Sequence, residues 1–450
     1  RLFRGILETY HPGLTRFTPP DELKAYFDQA WVQLQEAESE TEFANRLSYL
    51  INKIHCGHTS LIPSKASLRS NRLLKTPAFP LRLKVWRDSV AVVAMRGKAS
   101  SPVPPGSILT SINGYPIKKL LDTFFQYTTG DGYSPTGPSQ MLSNGNNFGL
   151  FYKRLFGLSP EFALEYRNEL GEKKTTILPA YDPQKDSSNT STPGQKRKMR
   201  QEQTRTVQID SSLSLAHLTI NGFFRGTGLR KFYRSSFRSL REQKIQHLIL
   251  DLRSNGGGDA NLSTTLTRYL IDHRFNLTDT LYALRRLGPY RCYIHNHFFY
   301  QLALLFTTRK KADGYYHFGF YERRHYTPKQ KNFFNGSVYI ITGGNSYSAT
   351  TLITKALQGQ SNVVVVGEET GGGAYGNSAW MIPWVTLPNT RIRFRLPLFK
   401  MVMPNYTGEA GRGILPDLPV NVTAESIRNG IDLKTQRVKE LISRNNSTAK

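Results

Sequence analysis

"IQHLILDLRSNGGGDANLSTTLTRYLI", residues 245–271, decides the fold: a short apolar strand, a turn of three glycines and a helix follow one another without a break. The rhythm recurs. "LSLAHLTI" (213–220) is a strand followed by a helix to about residue 243, and "GSVYIITGG" (336–344) runs into the helix "SATTLITKALQ" (348–358). "SNVVVVGEETGGG" (361–373) is another buried strand ending in glycines. Buried strands that each feed a helix imply an α/β layer with mostly parallel pairing over residues 206–440.

Outward from that layer the texture changes. Residues 78–181 carry short β runs, "LRLKVWRDSVAVVAM", "GSILTSINGYPI" and "EFALEYRNELGEKKTTILPA", with a turn at Asn113 and Gly114. Residues 1–75 are helical, with Leu23, Tyr26, Phe27 and Ala30, then Phe43, Leu47, Leu50, Ile51 and Ile54, at helical spacing. The stretch 182–205, ending in "GQKRKMRQEQTR", reads as a polar basic linker, and 274–335, rich in Arg, Tyr, His and Phe, as an insertion over one face of the layer. A chain of 450 residues suits about three units.

Sixty basic side chains against 33 acidic ones give a net charge of +27, which draws attention to nucleic acid, anionic envelope surfaces and acidic substrates. The basic residues are scattered outside the linker, and no zinc-ligand spacing or RNA-binding signature accompanies them, so nucleic acid is not the expected partner. Cys56 and Cys292 are too few for a disulfide framework or a cysteine-rich metal site. No apolar run is long enough for a transmembrane span. The chain opens on "RLFRGILETYHPGL" with no initiator Met and no apolar leader, which is compatible with a trimmed chain, and a removed export signal would leave no trace.

The chemistry gathers at the glycine turns "DLRSNGGGD" (251–259), "TGGNSYSATT" (342–351) and "GEETGGGAYGN" (367–377). Glycines let the backbone approach a ligand and aim free N–H groups at it, which suits a phosphate or the oxyanion of acyl transfer. Neither a P-loop nor a Rossmann fingerprint is present. A serine opening a helix beside such turns fits a nucleophile, and equally a helix cap. Ser346 suits the cap and Ser348 the nucleophile.

"LILDLRSNGGG", "YSATTLITKALQ", "VVGEETGGG" and "GRGILPDLPV", in that order, resemble the carboxyl-terminal processing protease and tricorn family of serine peptidases. Upstream, "GSILTSINGYPI" resembles the corresponding segment of a PDZ domain, which takes extended peptides by strand addition. The resemblance implies a crotonase/ClpP-like α/β catalytic domain with a helical N-terminal unit and an inserted PDZ-like domain. It implies Ser348 as nucleophile, an oxyanion hole from the amide of Ala349 and that of Gly256 or Gly257, and no cofactor or metal. The dyad branch of the family has a lysine 25 residues after its serine, where this chain has Gly373. The tricorn-like branch uses a histidine upstream of the PDZ domain, a place His58 of "CGHTS" fills, with His55 as its rival. Glu409 corresponds to that branch's glutamate, with Glu368 and Glu369 competing, and Asp251 with Arg253 reads as a structural ion pair. Protein or peptide substrates and an exported, periplasmic or envelope-associated bacterial enzyme are what the resemblance implies. A noncatalytic ligand- or peptide-binding protein on the same scaffold is the alternative, and the intact serine, histidine and oxyanion set favours the enzyme.

Overall fold

The computed structural model describes residues 1–35, 39–74, 77–97, 100–184, 204–404, 406 and 408–448. At its centre a six-stranded sheet runs in the order Leu418–Pro419, Val363–Gly367, Ser337–Thr342, His247–Asp251, Leu215–Ile220, Arg205–Asp210. The first five strands are parallel and the 205–210 edge is antiparallel.

The period-two alternation of strand side chains sorts this sheet into two cores. Leu248, Leu250, Val338, Ile340 and Val365 pack against the helices Leu229–Glu242, Ala260–Thr267 and Ala349–Leu357. Their neighbours Ile249, Tyr339, Ile341 and Val366 face the other way, under Val438 and Ile442 of the helix Leu433–Thr448. The register sets Asp251 beside Ile341 and Thr342 beside Gly367, so three glycine turns leave the sheet side by side. The carboxyl ends of parallel strands are where such sheets build their sites.

Four helices, Leu2–Tyr10, Pro20–Leu34, Glu40–Asn52 and Lys65–Leu74, form the N-terminal unit. Ser39 and Glu42 close the third of them with a reciprocal capping box. The unit shares one core with the 274–335 segment: Phe3, Leu50 and Ile51 pack in the same cluster as Leu281, Leu304, Phe394 and Phe399. The 274–335 segment is therefore more than a cover over one face. Its strand Thr280–Ala283 pairs with Phe399–Val402 and with Tyr316–His317, building a second sheet with Gly376–Ala379.

Residues 81–179 form a separate antiparallel sheet in the order 81–85, 90–95, 108–112, 161–167, 173–179, over a core of Phe79, Phe124, Phe148 and Phe162. One loop of this domain departs from it. After the helix Ile117–Phe125 the chain reaches between the other two units, where Gly132 N–H donates to His55 O (2.9 Å) and Tyr133 N–H to Gly411 O (2.7 Å). Of the basic linker, residues 185–203 lie outside the described residues.

Candidate active site

The helix Ala349–Leu357 begins at Ser348, whose φ of 55° and ψ of −119° put a non-glycine residue in a sparsely populated region. Such strain persists only where the surroundings over-determine it. Here three turns do so. Tyr347 N–H donates to Asn255 O (3.1 Å) and Thr350 Oγ1 to the same carbonyl (2.9 Å), while Gly372 N–H donates to Ser346 O (3.1 Å).

Ser346 has a different task from the expected cap. Its hydroxyl accepts from Gly343 N–H (3.1 Å) and donates to Leu252 O (2.9 Å), stapling the 343–348 turn to the end of the neighbouring strand. Ser348 itself holds the cap position, yet its side chain makes no capping bond. A hydroxyl at a helix start with no backbone partner is available for chemistry.

Ser348 and Ala349 open onto a cavity of about 480 Å³ whose walls include Phe223, Leu352, Trp380, Ile382 and Met401. The 256–258 turn closes in from one side. A β-carbon on Gly257 would lie 2.7 Å from Ser348 Cβ and 2.9 Å from Ala349 N, and its φ is +93°. Gly257→Ala is therefore expected to displace the turn that carries Ser348 and, if that serine is catalytic, to lower kcat by about 10²-fold, with secondary structure kept by circular dichroism. Of the amides in this turn, Gly257 N–H donates to Asn255 Oδ1 (2.9 Å), and Gly258 borders the same cavity as Ser348. Gly256 stands clear, with nothing within 4 Å of where its β-carbon would be.

His58 is buried, and its ring lies 5.2 Å from that of Tyr347, the residue preceding Ser348. Its Nδ1 stands 3.7 Å from Asp131 Oδ1, an ion-pair distance, and both ring nitrogens are without a hydrogen-bond partner, Ser348 Oγ included. Asp131 comes from the loop that leaves the antiparallel domain, and is fixed by Gly57 N–H donating to its Oδ1 (2.9 Å). Asp131 Oδ2 and the Tyr347 hydroxyl are likewise buried without partners. Unsatisfied buried polar atoms are scarce in native proteins, so several at one spot point to a functional site.

The electrostatics follow from this crowding. Burial opposes the charged imidazolium, but the Asp131 carboxylate and the Cys56 thiolate outweigh it and push the His58 pKa up to about 9. Burial would likewise raise the Asp131 pKa, and the facing His58 charge holds it below the ordinary carboxylate value. The donor atoms of Cys56, His58 and Asp131 lie within 4.8 Å of one another. They are donor types that zinc accepts, one short of a four-coordinate set.

The other carboxylates expected from the sequence are engaged by basic side chains. Glu409 has a side chain 73% exposed, 3.5 Å from Arg412. Glu369 forms a fork with Arg412 and accepts from Gly413 N–H (2.7 Å), and Glu368 is held between Lys84 and Lys434. Asp251 pairs with Arg253 (3.0 Å) at the strand end. The His55 ring packs against Tyr133 at 4.8 Å. Gly373 lies beside Asp131, its missing β-carbon 3.7 Å from Asp131 Cβ. Sequence reasoning passed over Asp131, although the glycines on both sides of it, at 130 and 132, were a usable signal of close backbone approach.

Residues 214–420 match the family model described as Peptidase family S41. No curated protein matches the chain in sequence. Among solved structures it is similar to mature CPAF complexed with lactacystin, with a TM-score of 0.69 at 15% identity over 99% of this chain and 97% of that one. A putative peptidase from Parabacteroides merdae is similar with a TM-score of 0.50 at 16% identity, over 98% of this chain and 95% of that one. Likeness at such identities is a likeness of fold.

Proposed function

We propose, from the match of residues 214–420 to peptidase family S41, that this chain is a serine peptidase that cleaves protein or peptide substrates with Ser348 as nucleophile, His58 as base and Asp131 as the acid that orients it. The observation that carries this reading is the buried His58–Asp131 pair packed against Tyr347, directly before a strained and uncapped serine. In the reaction Ser348 Oγ attacks the scissile carbonyl while His58 takes its proton and later returns it to the leaving amine. Ala349 N–H, at the helix start, and an amide of the 256–258 turn hold the oxyanion. Substrate must draw His58 and Ser348 into hydrogen-bond contact, a tightening expected of catalytic bonds that are long in the free enzyme.

The apolar walls beside Ser348 favour a substrate with a large apolar side chain next to the cleaved bond. We read the 78–181 domain as PDZ-like, with the edge of Lys173–Pro179, unpaired among the described residues, open to strand addition by an extended segment. The family resemblance favours a crotonase/ClpP-like reading of the catalytic layer and a place in a bacterial envelope.

Digestion of a mixed peptide library by the purified chain tests the activity. Cleavage after apolar residues is expected, and a library left intact at every pH would overturn the reading. The pH profile tests the base. Only neutral imidazole accepts a proton, so a His58 pKa of about 9 makes kcat/KM climb about tenfold per pH unit through neutrality and level off only above about pH 9. A plateau already reached at neutral pH would contradict it. The same shift means that the charged pair stabilises the fold fully below pH 6.5, the ordinary histidine value, and ceases to do so as pH rises through about 9.

A further inference from the structure

The helix His297–Thr307, "HFFYQLALLFT", lies in the 274–335 segment, outside the catalytic machinery. Its side chains divide sharply. Leu304 is 4% exposed and joins the core shared with the N-terminal helices, whereas Phe298 (70%), Phe299 (67%), Leu302 (42%), Leu305 (43%) and Phe306 (83%) stand in solvent. At about 100° per residue these five positions form one stripe about 120° wide. Scattered exposed hydrophobics need no explanation, but a contiguous stripe of Phe and Leu does.

The surroundings indicate what covers it. From Leu284 to Lys311 the chain contains no Asp or Glu, and it carries Arg285, Arg286 and Arg291 before the helix and Arg309, Lys310 and Lys311 after it. Arg286 is tied to Thr308 and Lys311 to Glu322, leaving Arg285, Arg291, Arg309 and Lys310 exposed and free of ion pairs among the described residues. Asp313 is the nearest acid along the chain after the basic run, and it is engaged by His317. A second copy of the chain is a poor occupant, since a two-fold contact would bring this basic rim against itself in a protein of net charge +27. Nucleic acid would answer the charge and leave five apolar side chains without a partner. An anionic lipid surface satisfies both at once, with headgroups for the rim and acyl chains for the stripe.

We propose that the 297–307 helix seats the protein on an anionic lipid bilayer, lying in the interface with its Phe and Leu stripe buried and Arg291, Arg309 and Lys310 against the headgroups. No helix among the described residues is long and apolar enough to cross a membrane, and none is required for this mode of binding. The inference stands independently of which residues perform the cleavage.

Co-sedimentation of the full chain with vesicles tests it, using phosphatidylcholine alone and phosphatidylcholine mixed with phosphatidylglycerol. Binding to the anionic vesicles only, weakened by salt, is expected. Phe298→Ser with Phe306→Ser should weaken that binding by about tenfold or more, and Arg309→Glu with Lys310→Glu by about 30-fold or more, at unchanged peptidase activity. The charge pair decides the matter if the phenylalanine pair does not fold. A chain that stays in the supernatant with both vesicle types overturns the proposal, as does vesicle binding that survives the changes. A dimer in analytical ultracentrifugation that the phenylalanine changes dissociate, with no vesicle binding, would give the stripe to a second copy instead.

Discussion

Ser348→Ala is expected to abolish peptide-bond cleavage, lowering kcat by about 10⁴-fold or more. Its stability should stay within about 0.5 kcal/mol of the parent, because the lost hydroxyl caps nothing and alanine keeps the β-carbon that packs against Gly257. That combination separates a nucleophile from a structural serine. Ser346→Ala should behave in the opposite way, since its hydroxyl bonds both Gly343 N–H and Leu252 O in a buried place, and its loss should lower the melting temperature. Measuring kcat and melting temperature on both variants distinguishes the two roles.

The second large effect belongs to a carboxylate. Asp131→Asn is expected to lower kcat by about 10³- to 10⁴-fold, as an uncharged partner no longer holds His58 in the tautomer that presents a free nitrogen to the serine. It should also move the rising limb of the pH profile from about 9 down towards the ordinary histidine value of 6.5, because the facing charge that sustains the upward shift is gone. A purely structural role would leave that limb where it is. Glu409→Gln, at a side chain 73% exposed beside Arg412, should change kcat by no more than a few-fold. If the losses fall on Glu409 and spare Asp131, the acid has been misidentified.

The contrast between these carboxylates also explains what the sequence makes legible. The α/β layer reads directly, because runs such as "SVYIIT" and "VVVVG" are continuously apolar, and each ends at glycines that keep the carboxyl-end turns close together. The N-terminal helices read from their apolar spacing for the same local reason. Ser348 and the glycine turns lie within one unit and announce themselves by strand, turn and helix order.

Asp131 belongs to no such pattern. It is 73 residues beyond His58 and lies in a loop that looks, from its neighbours, like part of the antiparallel domain. Backbone bonds from Gly132 N–H to His55 O and from Tyr133 N–H to Gly411 O help carry it to the side of His58. Those bonds join backbone atoms, which have no sequence signature. The 274–335 segment reads only as an insertion over one face for a similar reason: its strand Thr280–Ala283 finds its neighbour at Phe399–Val402, a pairing set by tertiary packing rather than by local propensity. Glu409 suited the acid by its spacing from Ser348, a criterion blind to the exposure of its side chain.

Labelling with a fluorophosphonate tests the central claim most directly, since it needs no known substrate and reports the activated serine by mass. One adduct per chain is expected, on the peptide containing Ser348, forming faster as pH rises towards 9 and lost on His58→Ala. A chain that cleaves peptides while Ser348 stays unlabelled, or that carries its adduct on another residue, would contradict the account.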